Sequence, residues 1–166
     1  MYKRQHPHWA DGVLIVTSAV IDLLGIFLVA LGVFGPSIRP LVGLLLLFAL
    51  RQVCQGLCAL PAPERMIWRD PGFPSLLVTY GTASDLFFSG HTAIAVYGSI
   101  ELAHYGGPLA VLLGLAIILV EATAVLVLRA HYTMDVFTGA VTALWVWTVA
   151  SALAPGLDRS LASMLG

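Results

Sequence analysis

Apolar residues fall into five long runs separated by short polar or Gly/Pro-rich breaks. The runs extend over Gly12–Phe34, Leu41–Leu60, Ser89–Ala103, Leu109–Leu128 and Tyr132–Leu153. Most approach the roughly 20 residues that a helix needs to cross a bilayer core. Gly35-Pro36-Ser37 with Arg39-Pro40 forms the first break, Pro61 and Pro63 stop the second run, and Tyr105-Gly106-Gly107-Pro108 parts the third from the fourth. The third run is short and carries Ser99 and Glu101, so its far end is expected to be wet. The one long polar stretch, Glu64–Asp85, holds Arg65, Trp68, Arg69, Asp70 and Tyr80. There a short interfacial helix is expected, its aromatics at headgroup depth. The tail from Ala154 to Gly166 is mildly amphipathic and is expected to lie on the membrane. The pattern predicts an all-α polytopic membrane helix bundle of about five transmembrane helices, built as a single integral membrane domain over residues 1–166.

Composition supports that architecture. Of 166 residues, 59% are hydrophobic and 10% charged, against about 25% charged in soluble domains. This excludes a disordered chain, a coiled coil and a soluble domain. A net charge of −1 gives no electrostatic case for nucleic acid. Cys54 and Cys58 sit four apart on one face of an apolar helix, and read as small buried hydrophobes. Lys3 and Arg4 precede the first run as in a signal peptide, but that run is too long for one, so an uncleaved first span is expected.

Five spans impose a parity. The second run ends and the third begins on the side of the long polar stretch; the fourth ends and the fifth begins there too. Arg51, His91 and His131 are therefore expected to converge at one membrane face.

Three signals carry candidate chemistry. In Arg129-Ala130-His131-Tyr132-Thr133-Met134-Asp135, His131 and Asp135 lie four apart at a helix start. The carboxylate can accept one imidazole N–H and leave the other nitrogen free as a nucleophile; the plainer reading is a structural His–Asp pair. In Asp85-Leu86-Phe87-Phe88-Ser89-Gly90-His91-Thr92, Ser89 suits an N-cap and Gly90 allows close approach of an anion to the helix start; the plainer reading is a capped helix with an interfacial histidine. Arg51 lies about ten residues into an apolar span, where a charge costs roughly 2.5–3.5 kcal/mol; it either faces a polar site or snorkels to the interface. Two histidines, a carboxylate, an anion-binding helix start and one or two arginines are what phosphoryl transfer through a phosphohistidine needs. The cations and N–H groups neutralise phosphate oxygens, one histidine attacks, and the other moves a proton. Asp22 and Glu121 are intramembrane acids. Each would balance an amine headgroup, pair with Arg51 or Arg129, or make an interhelical hydrogen bond. Asp85, near His91, is the better headgroup-side candidate.

These residues resemble a known family. Ser89-Gly90-His91-Thr92 and His131-Tyr132-Thr133-Met134-Asp135 look like the two catalytic motifs of sphingomyelin synthases, in the wider type 2 phosphatidic acid phosphatase (PAP2) superfamily. Arg51 followed by Leu60-Pro61-Ala62-Pro63 resembles the motif upstream. The resemblance covers about residues 46–147. It implies that His131 is the nucleophile, that Asp135 orients it, and that His91 is the general acid and then the base. It further implies that Ser89, Gly90 and Arg51 hold the phosphate, with Arg129 and Asp85 as further substrate-binding candidates, and that no metal or other cofactor is needed. The implied partners are membrane lipids: a phospholipid donor and a diacylglycerol- or ceramide-like acceptor, with a homo-oligomer compatible. The chain departs from the pattern at Val125, where the phosphatases place an arginine, and Arg129 stands nearby as a substitute. It also has five expected spans where the synthases have six. It looks like a minimal bacterial core, which implies an inner-membrane location.

The alternatives are a lipid phosphate phosphatase or phospholipase C-like hydrolase with water as acceptor, a metal-dependent hydrolase using His91, His131 and Asp135 as ligands, and a small membrane transporter or scaffold. The orientation stays open. Lys3, Arg4, Arg65 and Arg69 on the histidine side favour the cytoplasm by the positive-inside rule, whereas relatives in the superfamily commonly act on the exoplasmic face.

Overall fold

The computed structural model describes residues 8–72, 74–78 and 87–165. Four helices form: α1 (His8–Phe34), α2 (Arg39–Leu57), α3 (Gly90–Val127) and α4 (Thr133–Leu165). All four are long and apolar enough to span a membrane. Among the described residues there is no strand, so the bundle is all-α as expected.

The five expected runs are present in four elements because α3 contains two of them. Gly107 has φ 71° and ψ −164°, a conformation that favours glycine, and Pro108 follows it. The chain doubles back there. Ser99 Oγ donates to the Gly114 carbonyl at 3.1 Å, although in a straight helix the two would stand about 22 Å apart. A Cβ on Gly114 would meet that of Ser99 at 2.9 Å, so the absent side chain lets the arms touch.

The α2 and α3 helices each pack on the other three, while α1 and α4 do not meet among the described residues. Close approach is again made at glycines: Gly98 of α3 against Leu24 of α1, and Gly43 of α2 against the Tyr97 ring of α3. Thr17 and Ser18 are buried in α1 and satisfy their hydroxyls on the Val13 and Leu14 carbonyls one turn back.

At one end of the bundle, Arg39 at the start of α2 forms a two-pronged ion pair with Glu101, at 2.9 and 2.7 Å. Its guanidinium lies over Tyr105 (6.0 Å) and Trp147 (5.8 Å), and the Tyr97 hydroxyl donates to its carbonyl. Glu101 is fully buried, so the far end of the third run is closed by this pair rather than wet. The expected surface tail is instead the last turns of α4, where the Asp158 carboxylate accepts the Ile38 N–H at 2.9 Å and caps α2 from across the bundle.

Among the described residues the expected interfacial helix does not form. No described residue between Cys58 and Ser89 is helical. Pro61, Pro63, Pro71 and Pro74 break the pattern, and Gly72 takes φ 75° over an Asx turn in which its N–H donates to Asp70. The irregular segment is stitched to the bundle instead. The Ile67 N–H donates to the Leu128 carbonyl, Arg69 pairs with Asp11, and the Tyr132 hydroxyl donates to the Pro61 carbonyl.

Candidate functional site

The opposite end of the bundle gathers the start of α1, the end of α2, both ends of α3 and the start of α4. Each candidate residue is placed there by local sequence. Ser89 is the N-cap of α3, its Oγ accepting the Thr92 N–H at 3.3 Å and lying 3.0 Å from Thr92 Oγ1. The N–H groups of Gly90 and His91, at the first two helical positions, have no acceptor one turn back. Phe88, buried just before the cap, has φ 78°, an unusual conformation for an aromatic residue and a local strain at the start of the motif.

Gly90 also makes room for a neighbouring side chain. A Cβ there would stand 3.3 Å from Arg51 Nε and 3.5 Å from its Cδ. The bare Cα thus provides the surface on which the Arg51 side chain rests. This sets a guanidinium from α2 beside the N-terminus of α3, where partial positive charge already accumulates.

Asp135 is the third residue of α4, and its Oδ2 accepts the Tyr132 N–H at 2.8 Å, half of a capping box. The same oxygen stands 3.7 Å from His131 Nδ1. His131 therefore precedes the helix instead of sharing its face, and the pair sits just beyond hydrogen-bond length. The two motifs are joined directly, since the Ser89 N–H donates to the Asp135 carbonyl at 3.1 Å. Gly139, one turn on, lets α4 lie against the Ser89 carbonyl.

His91 is buried, with 8% exposure. Trp68 meets its ring edge-on, with centroids 5.0 Å apart and planes at 89°. Arg51, His131 and Asp22 act on it electrostatically. Among the described residues, His91 Nε2 and Asp135 Oδ1 are buried without a hydrogen-bond partner. Orphans of this kind are rare in native structures; others among the described residues are at Arg69, Glu121, Trp147 and Ser151. No three His, Cys, Asp or Glu side chains among the described residues are gathered for a metal ion, so His91, His131 and Asp135 do not form a ligand set.

The structure thus brings together Arg51, Ser89, Gly90, His91, His131 and Asp135. Arg129 stands apart. It is exposed, donates to the Glu64 carbonyl at 3.2 Å, and has φ 51°. It closes α3 as the left-handed residue of a Schellman motif: its own N–H reaches the Leu126 carbonyl, and the Ala130 N–H reaches that of Val125. Val125, fully buried, belongs to that helix end. Asp85 and Tyr80 lie outside the described residues. Glu121 is fully buried and neither of its oxygens has a hydrogen-bond partner, so it pairs with neither arginine. Asp22 makes no simple interhelical bond but receives a loop, as described below.

Trp68 and the Arg39–Glu101 pair were not anticipated. Trp68 lies in a stretch without periodicity, which offers no clue to what its ring touches. The ion pair had a usable signal, because the parity that unites the histidines also puts the start of the second run and the end of the third on one side.

The helix bundle and its half-closed polar end define an integral membrane protein with a buried histidine–carboxylate–arginine site at one face. A family model described as AtPDCT1/2, a plant phosphatidylcholine:diacylglycerol cholinephosphotransferase family, matches residues 5–152. The chain belongs to that family, which is one of membrane enzymes that move lipid headgroups, and membership implies lipid substrates. No curated protein and no solved structure matches the chain.

Proposed function

We propose that the protein transfers a phosphoalcohol headgroup between lipids through a phosphohistidine at His131, as in the sphingomyelin synthase branch of the PAP2 superfamily that its motifs resemble. The observation that carries this reading is the Ser89–Asp135 bond. It joins the start of α3 to the first turn of α4, which follows His131, and Arg51 rests on Gly90 at the start of α3.

In the proposed cycle the donor phosphate binds at the Gly90 and His91 N–H groups and the Arg51 guanidinium. His131 Nδ1–H turns to Asp135, which leaves Nε2 as nucleophile. Nε2 attacks phosphorus, the bond from phosphorus to the glycerol oxygen breaks, and His91 protonates the departing oxygen. A second lipid hydroxyl then gives its proton to His91 and attacks phosphorus, and the P–N bond breaks. His91 ends as it began, so no net proton is consumed. The burial of His91, and a side-chain exposure of only 11% at His131, disfavour water as the acceptor and so favour transfer over hydrolysis.

The test is turnover of a labelled phospholipid panel, with diacylglycerol or ceramide added, by purified protein in a chelator. Chelator-resistant transfer that disappears in His131→Ala, together with an acid-labile labelled protein, is expected. Turnover retained by His131→Ala overturns the assignment of the nucleophile. Inhibition by chelator overturns the metal-free cycle.

A further inference from the structure

The chain between α2 and α3 does not stay at the membrane surface. Arg69 pairs with Asp11, near the start of α1. Seven residues later, Leu76 and Leu77 donate their N–H groups to Asp22, each at 2.9 Å, and the Ser75 hydroxyl donates to the same carboxylate at 3.2 Å. Asp11 and Asp22 are eleven residues apart on one helix, or about 16 Å along its axis. The segment thus descends to the middle of α1. Its depth is confirmed by its neighbours: Leu77 fills the space beside Gly25, and Val78 is buried in the main core.

Non-helical backbone at this depth survives only with its polar groups satisfied, and only where it is covered by protein or lines a cavity. Three consecutive N–H groups are satisfied across the turn, because Ser75 Oγ accepts the Val78 N–H at 3.1 Å while Asp22 takes the two before it. Cover is not complete. Leu76 is 73% exposed, while Leu77 and Val78 on either side of the backbone are packed. The same segment begins at Trp68, against the His91 ring, and so runs from the site to the middle of α1.

We propose that the re-entrant segment Pro74–Val78 is the wall on which an acyl chain of the phospholipid substrate lies, with Leu76 as the residue that sets chain preference and Asp22 as the positioning residue that holds the segment. The inference rests on the lipid-transfer reading above. A phosphate held at Gly90 leaves its acyl chains in the hydrocarbon layer beside the bundle, and an exposed leucine beside the middle of α1 presents the apolar surface they require.

The experiment uses the full chain in phosphatidylglycerol vesicles containing a trace of phosphatidylcholine with a diazirine in mid-chain. Photolabelling of residues 74–78 is expected to fall about tenfold with excess unlabelled phosphatidylcholine. Labelling of the outward-facing Leu119 and Leu144 should not change. Leu76→Trp should remove the saturable labelling and raise KM for long-chain phosphatidylcholine about tenfold at constant kcat, sparing a six-carbon analogue. Asp22→Asn, which keeps one acceptor oxygen, should show the same chain-length effect in weaker form. Labelling of 74–78 that does not saturate makes Leu76 a bulk-lipid contact, and a link from Leu76 to a second copy makes it an interface; either overturns the proposal. Saturable labelling in a protein that transfers no headgroup overturns the transfer reading and leaves the acyl wall standing.

Discussion

The Ser89 N–H and the Asp135 carbonyl meet at 3.1 Å, and through this bond the first turns of α3 and α4 are held as one unit. Asp135 also uses its side chain twice, capping the Tyr132 N–H and facing His131 with the same oxygen. The two tasks separate by substitution. Asp135→Asn keeps an oxygen for the cap but loses the charge that steadies His131. We expect kcat to fall by about 10²–10⁴ while the thermal midpoint in detergent holds. Asp135→Ala should lose both, with a stability cost of about 1 kcal/mol from the missing cap. Equal stability losses in the two variants would show that the carboxylate matters for folding alone.

Gly90 is predicted to matter for the room it leaves. Gly90→Ala places a methyl 3.3 Å from Arg51 Nε and forces the guanidinium to shift. Steady-state kinetics should show kcat/KM lowered about tenfold, in keeping with a displaced charged contact to phosphate of roughly 1.5–3 kcal/mol. Arg51→Lys should not restore activity in either background, because a lysine lacks the planar fork. Wild-type kinetics in Gly90→Ala would remove Arg51 from the phosphate site.

Arg129 occupies a left-handed position that costs a non-glycine residue about 1–2 kcal/mol. Arg129→Gly should therefore raise the thermal midpoint. Its bond to the Glu64 carbonyl is exposed and contributes little against that gain. Transfer activity should stay near wild type, since the side chain is exposed and bonded to the Glu64 carbonyl of the loop. A large loss of activity in both Arg129→Gly and Arg129→Ala would instead return this arginine to the substrate site, and the left-handed strain would then serve catalysis.

Much of this arrangement was legible before any coordinates. Five apolar runs mark the membrane helices, which the structure holds in four elements, and parity alone brings Arg51, His91 and His131 to one end. What escaped was set by geometry that periodicity does not encode. The α3 helix appears as two runs because Gly107 reverses the chain within one turn. The polar stretch after α2 invited a surface helix, yet its prolines and the Asp22 carboxylate draw it into the bundle. Asp22 was open to an amine headgroup, an arginine or an interhelical hydrogen bond, whereas its partners are the Leu76 and Leu77 N–H groups and the Ser75 hydroxyl, which no residue pattern advertises. Arg129 lay beside the motif in sequence, but the Schellman turn that ends α3 rotates it outward.

The Arg39–Glu101 pair allows stability to be tested apart from chemistry, because it lies at the end of the bundle away from the histidines. Glu101 is wholly buried and Arg39 is 12% exposed at its side chain. Removing one partner strands the other. Glu101→Leu should destabilise the protein by about 3–5 kcal/mol, the usual cost of leaving a buried charge alone. The double variant Arg39→Met with Glu101→Leu should recover most of that loss, since two apolar groups need no partner and the stack with Tyr105 and Trp147 can be refilled. Thermal midpoints of the two singles and the double, measured in one detergent, give the coupling energy directly. Transfer activity per folded molecule should match wild type in the double variant. If activity falls while stability recovers, the pair is coupled to the site across the membrane, and the bundle does not keep its two ends independent.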